Sequence, residues 1–326
     1  MTATPAPALP AIRYLRINRH RPLAWMVSGF AVALSLLGMA LCWLNPAIGL
    51  PLRPGLDFTG GTQIQVERQC PSAGCSPLAA ASIQARLASL QLPADDDGTP
   101  PPPLGNAVVQ VLDQGQSLVL RLPALAPAQG AAVLADLDAL AGPLQPTATS
   151  VNTIGPTLGS QLLQTSAVSL LLSFAAIAIY ITFRYDRIFA FLALLCLAHD
   201  VLIICGVFAW LGLLAGIEVD SLFAVALITV AGYSVNDTVV VFDRIREQKT
   251  ALSTLSMADQ VDVAVDATLT RSLYTSFTTL LPILGLIFFG GDSLHWFAVA
   301  LALGIVAGSW SSIGVAPTLL PLLSRR

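Results

Sequence analysis

Asp237 lies within an apolar run long enough to cross a bilayer. An ionisable side chain at the centre of a membrane span costs at least ~2.5 kcal/mol, so its presence marks a site of function by default. The stretch from Ala231 to Glu247 reads AGYSVNDTVVVFDRIRE and ends in the charges Asp243, Arg244, Arg246 and Glu247. Loading and releasing a proton is the chemistry that suits an isolated intramembrane carboxylate. Two other apolar runs carry polar groups: His199 and Asp200 sit mid-run in one, and Arg271 opens another that continues with Thr275, Thr278 and Pro282. Read as helices, they put Asp237 ~9 Å from the end of its span and Asp200 ~18 Å along its own. Arg271 falls at a depth comparable to Asp237, so the economical arrangement sets the guanidinium against the carboxylate. Burial favours the neutral acid and a nearby cation favours the ion, and a group balanced between them responds to changes in water access. Asp200 and His199 would extend the path.

Neighbours at helical spacing complete this set. Tyr233 and Ser234 precede Asp237 by four and three residues and share its face. Gly232 and Asn236 make the same turn small and polar, which suits close helix approach or a local break. A plainer role stands beside each assignment. Arg271 could snorkel to the interface as an anchor. Asp237, Asp200 and His199 could be structural groups bonded to adjoining helices.

The elements that must position these residues follow from composition. The chain has 326 residues, of which 55% are hydrophobic and only 11% charged. Soluble domains carry about 25% charged residues, so this is an integral membrane protein. A net charge of −3 gives no support for a nucleic-acid partner. Residues 1–21 read as a Pro/Ala-rich tail ending in a basic flank. The expected spans are 22–44, 162–183, 188–214, 221–242, 271–289 and 296–320. A polar loop with an amphipathic surface helix is expected over 243–270, and residues 324–326 form a short basic end. Every Lys and Arg outside residues 45–161 then falls on one side. By the positive-inside rule that side is the cytoplasm, and it holds both termini.

Residues 45–161 read as a soluble domain on the opposite side. Short alternating strands and Ala/Leu-rich helices follow the order βαββαβ, the ferredoxin-like unit. Val111 to Ser117 suits a hairpin turn through Asp113 and Gly115. The Pro- and Asp-rich stretch over 93–106 reads as a loop. Gly55, Asp57, Gly60 and Gly61, in GLDFTGGTQIQV, read as a tight entry into the first strand. A phosphate loop would need a Lys-Ser/Thr that is missing. Cys70 and Cys75 could close a short disulfide in an oxidising compartment, and with no His nearby they do not suggest a metal site. In the last span Gly304, Gly308, Ser309, Ser311, Ser312 and Gly314 read as small-residue contacts, with Gly304 and Gly308 a G-x-x-x-G pair, which implies packing.

Taken together, these residues resemble the SecF family of the bacterial SecD–SecF protein-export complex, in the resistance–nodulation–division superfamily. The resemblance rests on GLDFTGGT, IGPTLG (Ile154 to Gly159), FRYD, LAHD, GYSVNDTVVVFDRIRE, RSLYTSFTTL, FGG and SWSSIG, in this order. It implies an α-helical polytopic protein of the bacterial inner membrane with six transmembrane helices. It also implies one α+β ferredoxin-like periplasmic domain between the first two helices. It implies that Asp237, Arg271 and Thr275 lie on a proton path, that protons are the coupling ion, and that there is no other cofactor. The expected partners are a SecD-like subunit and, through it, the SecYEG channel, SecA and YajC, with the lipid bilayer and an unfolded polypeptide in transit. On this reading the chain is not an enzyme but a proton-driven accessory subunit. An intramembrane aspartyl protease using Asp200 and Asp237 would need a Gly-x-Gly-Asp element, and Ser234, Val235 and Asn236 precede Asp237 instead. A small-molecule exporter of the superfamily would carry two external domains and twelve spans. A passive scaffold would be indifferent to Asp237.

Overall fold

The computed structural model of the chain describes residues 15–70, 78–94, 100–105, 107–112 and 115–324. Most of the expected tail, Cys75, Asp113 and part of the 93–106 loop lie outside these residues. Among the described residues six helices are long and apolar enough to cross a membrane. They are α1 (Arg21–Leu44), α5 (Pro156–Arg184), α6 (Arg187–Leu214), α7 (Ser221–Ala251), α8 (Met257–Phe289) and a last one in three pieces. That last span runs as α9 (Gly291–Trp310), a π-helical turn (Ser311–Val315) and α10 (Ala316–Leu323). By contacts the chain divides into a spanning unit, 1–53 with 167–326, and a unit over 54–166.

Within the spanning unit, α6, α7 and the last span form the buried centre. The most apolar stretch of α7 is 56% buried, against 17% for α8 and 6% for α5. Small residues allow close approach at two contacts. A Cβ on Gly206 of α6 would collide with Ser35 of α1, and one on Gly304 of α9 with Val230 of α7. Trp210 Nε1 of α6 donates to the Leu34 carbonyl of α1 at 3.0 Å. The π-helical turn has a local cause. Pro317 follows it and has no N–H to give, so a regular ladder cannot be kept there.

Helix bounds differ from expectation where charge was taken for a boundary. The polar loop expected over 243–270 is almost wholly helical. Here α7 continues through its charges to Ala251, and α8 starts at Met257. No Gly or Pro lies between Met257 and Leu281 to stop it, and the Ser256 hydroxyl caps its start by accepting from Asp259 N–H at 3.2 Å. The amphipathic segment is therefore the first turns of α8 and not a separate surface helix. Ahead of α1, Asn18 donates to Asp262 Oδ1 of α8 through its backbone N–H at 3.0 Å and its side-chain Nδ2 at 2.7 Å.

The 54–166 unit contains β1 (Gly61–Glu67), α3 (Ala80–Ser89), β2 (Val108–Leu112), β3 (Ser117–Leu122), α4 (Pro127–Ala141) and β4 (Ser150–Ile154). The sheet is antiparallel in the order β2-β3-β1-β4. Ile64, Val66, Leu118 and Leu120 of the sheet share one apolar core with Ile83 and Leu87 of α3 and with Val133 and Leu137 of α4. Alternation along β1 puts Ile64 and Val66 on one face and Gln63 and Gln65 on the other. A single helical turn, α2 (Leu56–Thr59), precedes β1. Gly60 and Gly61 then adopt φ of +67° and +121°. A Cβ on Gly60 would lie 3.0 Å from Pro156 Cα, and one on Gly61 would lie 2.6 Å from the Leu122 carbonyl. Conformation and space both demand glycine at the pair. Gly159 faces it from the start of α5, where a Cβ would come 2.8 Å from Gly60 N.

Candidate functional site

The two intramembrane carboxylates are buried, Asp200 at 0% exposure and Asp237 at 6%. Serine hydroxyls hold both. Asp237 of α7 accepts from Ser272 of α8 at 2.7 Å and from Ser312 of the π-helical turn. Asp200 of α6 accepts from Ser234 of α7 at 2.6 Å and from Ser311 of the same turn at 2.8 Å. His199 Nδ1 lies 2.9 Å from Asp200 Oδ1, and its other ring nitrogen, also buried, has no partner among the described residues. Gly308 lets α9 come near enough for this: a Cβ there would lie 3.3 Å from Ser234 and 3.6 Å from Asp200 Oδ2. A third set of hydroxyls adjoins. Tyr233 OH lies 2.8 Å from Ser276 Oγ, which lies 2.6 Å from Ser309 Oγ.

Such a site can hold a carboxylate in either protonation state. A hydroxyl donates to the ion and can accept from the acid. Among the described residues no cation pairs with Asp237. The expected contact with Arg271 is not made, because Ser272, one position on, takes that place. Arg271 and Thr275 are exposed on α8, and the Thr275 hydroxyl donates back to the Arg271 carbonyl at 2.8 Å. Two assignments on α7 also change. Ser234 serves Asp200 and Tyr233 serves Ser276, so neither bonds Asp237. Gly232 makes no close approach, with nothing within 4 Å of a Cβ placed there. Gly232 and Asn236 instead edge a crevice of about 430 Å³, with Ile177 and Tyr180 of α5 opposite.

The exposed polar residues share one side. The pairs Asp237–Ser272 and Tyr233–Ser276 step in opposite senses along α7 and α8, so the two helices are antiparallel. Residues one position before each facing residue then turn to the same side of the pair. They are Gly232 and Asn236 on α7, and Arg271 and Thr275 on α8. Thr229 and Thr278, seven residues off on each helix, continue the stripe, and all six are exposed. The threonines satisfy their hydroxyls on their own helices. Arg271 and Asn236 have no side-chain partner among the described residues.

What sequence reasoning missed is Ser272, and the role of Ser234, Ser311 and Ser312 as donors to the carboxylates. Serine is ordinary in a span, and the signal that could have found Ser311 and Ser312 was their adjacency in SWSSIG; Ser234 and Ser272 carry no such signal. The remaining sequence-predicted residues lie elsewhere. Gly55, Asp57, Gly60 and Gly61 shape the entry to β1. Cys70 is engaged in a disulfide while Cys42, Cys196 and Cys205 are free thiols. Cys75 lies outside the described residues, and the expected pairing with it.

Comparison with known proteins adds a family. Residues 136–326 match the family described as protein export membrane protein SecD/SecF, C-terminal, and residues 48–72 match the SecD/SecF GG motif. The chain is 53% identical over 306 residues to protein translocase subunit SecF of Prochlorococcus marinus, covering 94% of each. It is 41% identical to the Synechocystis SecF over 298 residues, covering 91% of this chain and 90% of that one. Among solved structures, SecDF of Thermus thermophilus superposes with a TM-score of 0.76 at 28% identity. The match takes in 98% of this chain and 40% of that longer one.

Proposed function

This chain belongs to the SecD/SecF family of protein-export membrane proteins, and from that premise we propose that it is a proton-driven subunit of a protein translocase. The observation that carries the reading is Asp237, buried in the span and held by two hydroxyls from different helices. Taking up a proton there removes a charge that the serines of α8 and of the last span are arranged around. The packing of α7 against both would then differ between two states. One elementary charge crossing the membrane supplies ~2.3 kcal/mol per 100 mV, a population shift of roughly fortyfold between two states. That is enough to bias such an equilibrium.

The polar stripe on α7 and α8 supports a partner. A guanidinium and an amide facing lipid are costly, and a SecD-like subunit whose helices carry a matching acid would cover them. Arg271 and Thr275 then border the proton path at that interface and not inside the chain. The fused SecDF relative carries both subunits in one polypeptide by its name. Through that subunit the protein would work with the SecYEG channel, SecA and YajC on an unfolded polypeptide in transit. The βαββαβ order and the 2-3-1-4 sheet support a ferredoxin-like domain on the periplasmic side of the inner membrane. The basic flanks support cytoplasmic termini.

Asp237→Asn tests the reading, since the amide keeps the shape and cannot ionise. The expected result is a complex assembled at normal level whose stimulation of export by the proton motive force is lost. Full stimulation in that variant overturns the proposal.

A further inference from the structure

Two consecutive hydroxyls on the π-helical turn serve two different carboxylates. Ser311 donates to Asp200 and Ser312 to Asp237. Each also has a second acceptor on its own helix. The Gly308 carbonyl is 3.1 Å from Ser311 Oγ, and the Ser309 carbonyl is 3.1 Å from Ser312 Oγ. A hydroxyl has one proton and must choose between them. An ionised carboxylate wins, because a bond to a charged acceptor is the shorter and stronger one. A protonated carboxyl is itself a donor. Where that single proton points at the serine, the serine turns its own proton to the helix carbonyl and offers a lone pair instead. Each serine is therefore a two-position device set by the charge of its own carboxylate.

The two devices share one piece of backbone. A π-helical turn is rare and holds one more residue per turn than the helix on either side. A rearrangement that draws one of the two serines toward or away from its carboxylate moves the peptide plane that carries the other. Resting on the proton-path reading above, we propose that Ser311 and Ser312 are positioning residues that couple Asp200 to Asp237. Protonation at one carboxylate resets the hydrogen bond at the other through the π-helical turn.

The groups around the pair leave few other routes. From α6, His199 bonds Asp200, and Cys196 Sγ lies 3.7 Å from the Ser311 carbonyl. From α7 comes Tyr233, bonded to Ser276. Toward the pair α8 turns Ser272 and Ser276, with Arg271 exposed beside them, and the last span brings only serines. From α1, Ser28 accepts from Trp310 Nε1 just before the π-helical turn, at 2.9 Å. The titratable groups facing the two carboxylates are thus His199, Cys196 and Tyr233 among the described residues.

The test is an infrared pH titration of the full chain, assembled with its SecD-like partner in lipid. The Asp237 carboxyl band is assigned by its loss in Asp237→Asn. Ser311→Ala removes a donor that, of the two carboxylates, touches only Asp200. Coupling predicts that it displaces the midpoint of the Asp237 band by about threefold or more in proton concentration. Ser311→Thr, which keeps the hydroxyl, restores the midpoint. Ser234→Ala also removes a donor to Asp200 but leaves the π-helical turn intact, and it displaces the Asp237 midpoint by less than half as much. Equal displacement by Ser311→Ala and Ser234→Ala would mean that Asp237 feels only the state of Asp200, and it overturns the coupling. An Asp237 band that titrates normally in Ser311→Ala also overturns it, and leaves the proton-path reading standing. A displaced midpoint together with unimpaired export in Asp237→Asn removes the proton-path reading and keeps the coupling. An Asp237 band absent across the whole range removes both.

Discussion

A carboxylate in hydrocarbon stays only if something compensates its desolvation, and here the compensation is neutral. Ser272 and Ser312 hold Asp237 without fixing its charge, whereas a buried arginine would hold it ionised. Asp237 and Asp200 were legible in the sequence because an acid in an apolar run violates the composition around it. Their donors were not, because a serine's role depends on which helices adjoin, and no local pattern encodes that. Ser272→Ala is expected to leave Asp237 one donor short and to destabilise the spanning unit by about 1–3 kcal/mol. Unfolding from mixed micelles measures it. A second prediction concerns Tyr185, between α5 and α6. Burial, and then its hydrogen bond to the Asp243 carboxylate at 3.1 Å, push the phenol up to about 12, with Asp243's charge adding and Arg184 opposing. The folded state holds this proton more tightly than the unfolded one. Its contribution is complete below the ordinary phenol value of about 10 and is lost as pH rises from there toward 12. Tyr185→Phe should flatten the stability profile across that interval, as thermal unfolding at stepped pH would record.

Charge marks the turn between α5 and α6, at Arg184 to Arg187, but it does not stop α7 or hold back the start of α8. That is why α7 and α8 outrun the expected spans, and why only Leu252–Ser256 separates them. Hydropathy marked the stretch of each helix that is apolar enough to cross a membrane, while capping and the lack of Gly or Pro set the true length of α8. Small residues were legible as packing signals at Gly304 and Gly308, and the structure sets them against Val230 and Ser234. Gly232, read the same way, makes no such contact. A glycine in a span signals permission for approach and not its direction. Gly206 offers a test of the α1–α6 contact, where a Cβ meets Ser35 backbone and side chain. Gly206→Val should part the helices at a cost of about 1–3 kcal/mol. Pairing it with Ser35→Gly should recover part of that loss in the same unfolding assay.

At the scale of the molecule, the exposed stripe of Asn236, Arg271 and Thr275 predicts what the chain needs around it. Asn236→Cys should react readily with a maleimide in the chain expressed alone and be protected at least about tenfold with the SecD-like subunit present. Equal labelling would place the partner elsewhere. The two-unit division was legible as a composition shift after the first span, and the strand order from alternation. Register was not, because it depends on pairings distant in the chain. One further feature bears on work. Only Gly155 separates the end of β4 from the start of α5, and Gly159 of that first turn is seated on Gly60 without room for a methyl group. A joint of one residue has two soft torsions, and here the glycine seat braces them. Compliance in series wastes displacement, so a coupling meant to deliver force should have little of it. By that standard the double glycine is a stiffness element. On the proton-driven function proposed above, Gly159→Ala is expected to lower export stimulated by the proton motive force by more than it lowers the thermal stability of the chain, which export and unfolding assays on the same variant would record.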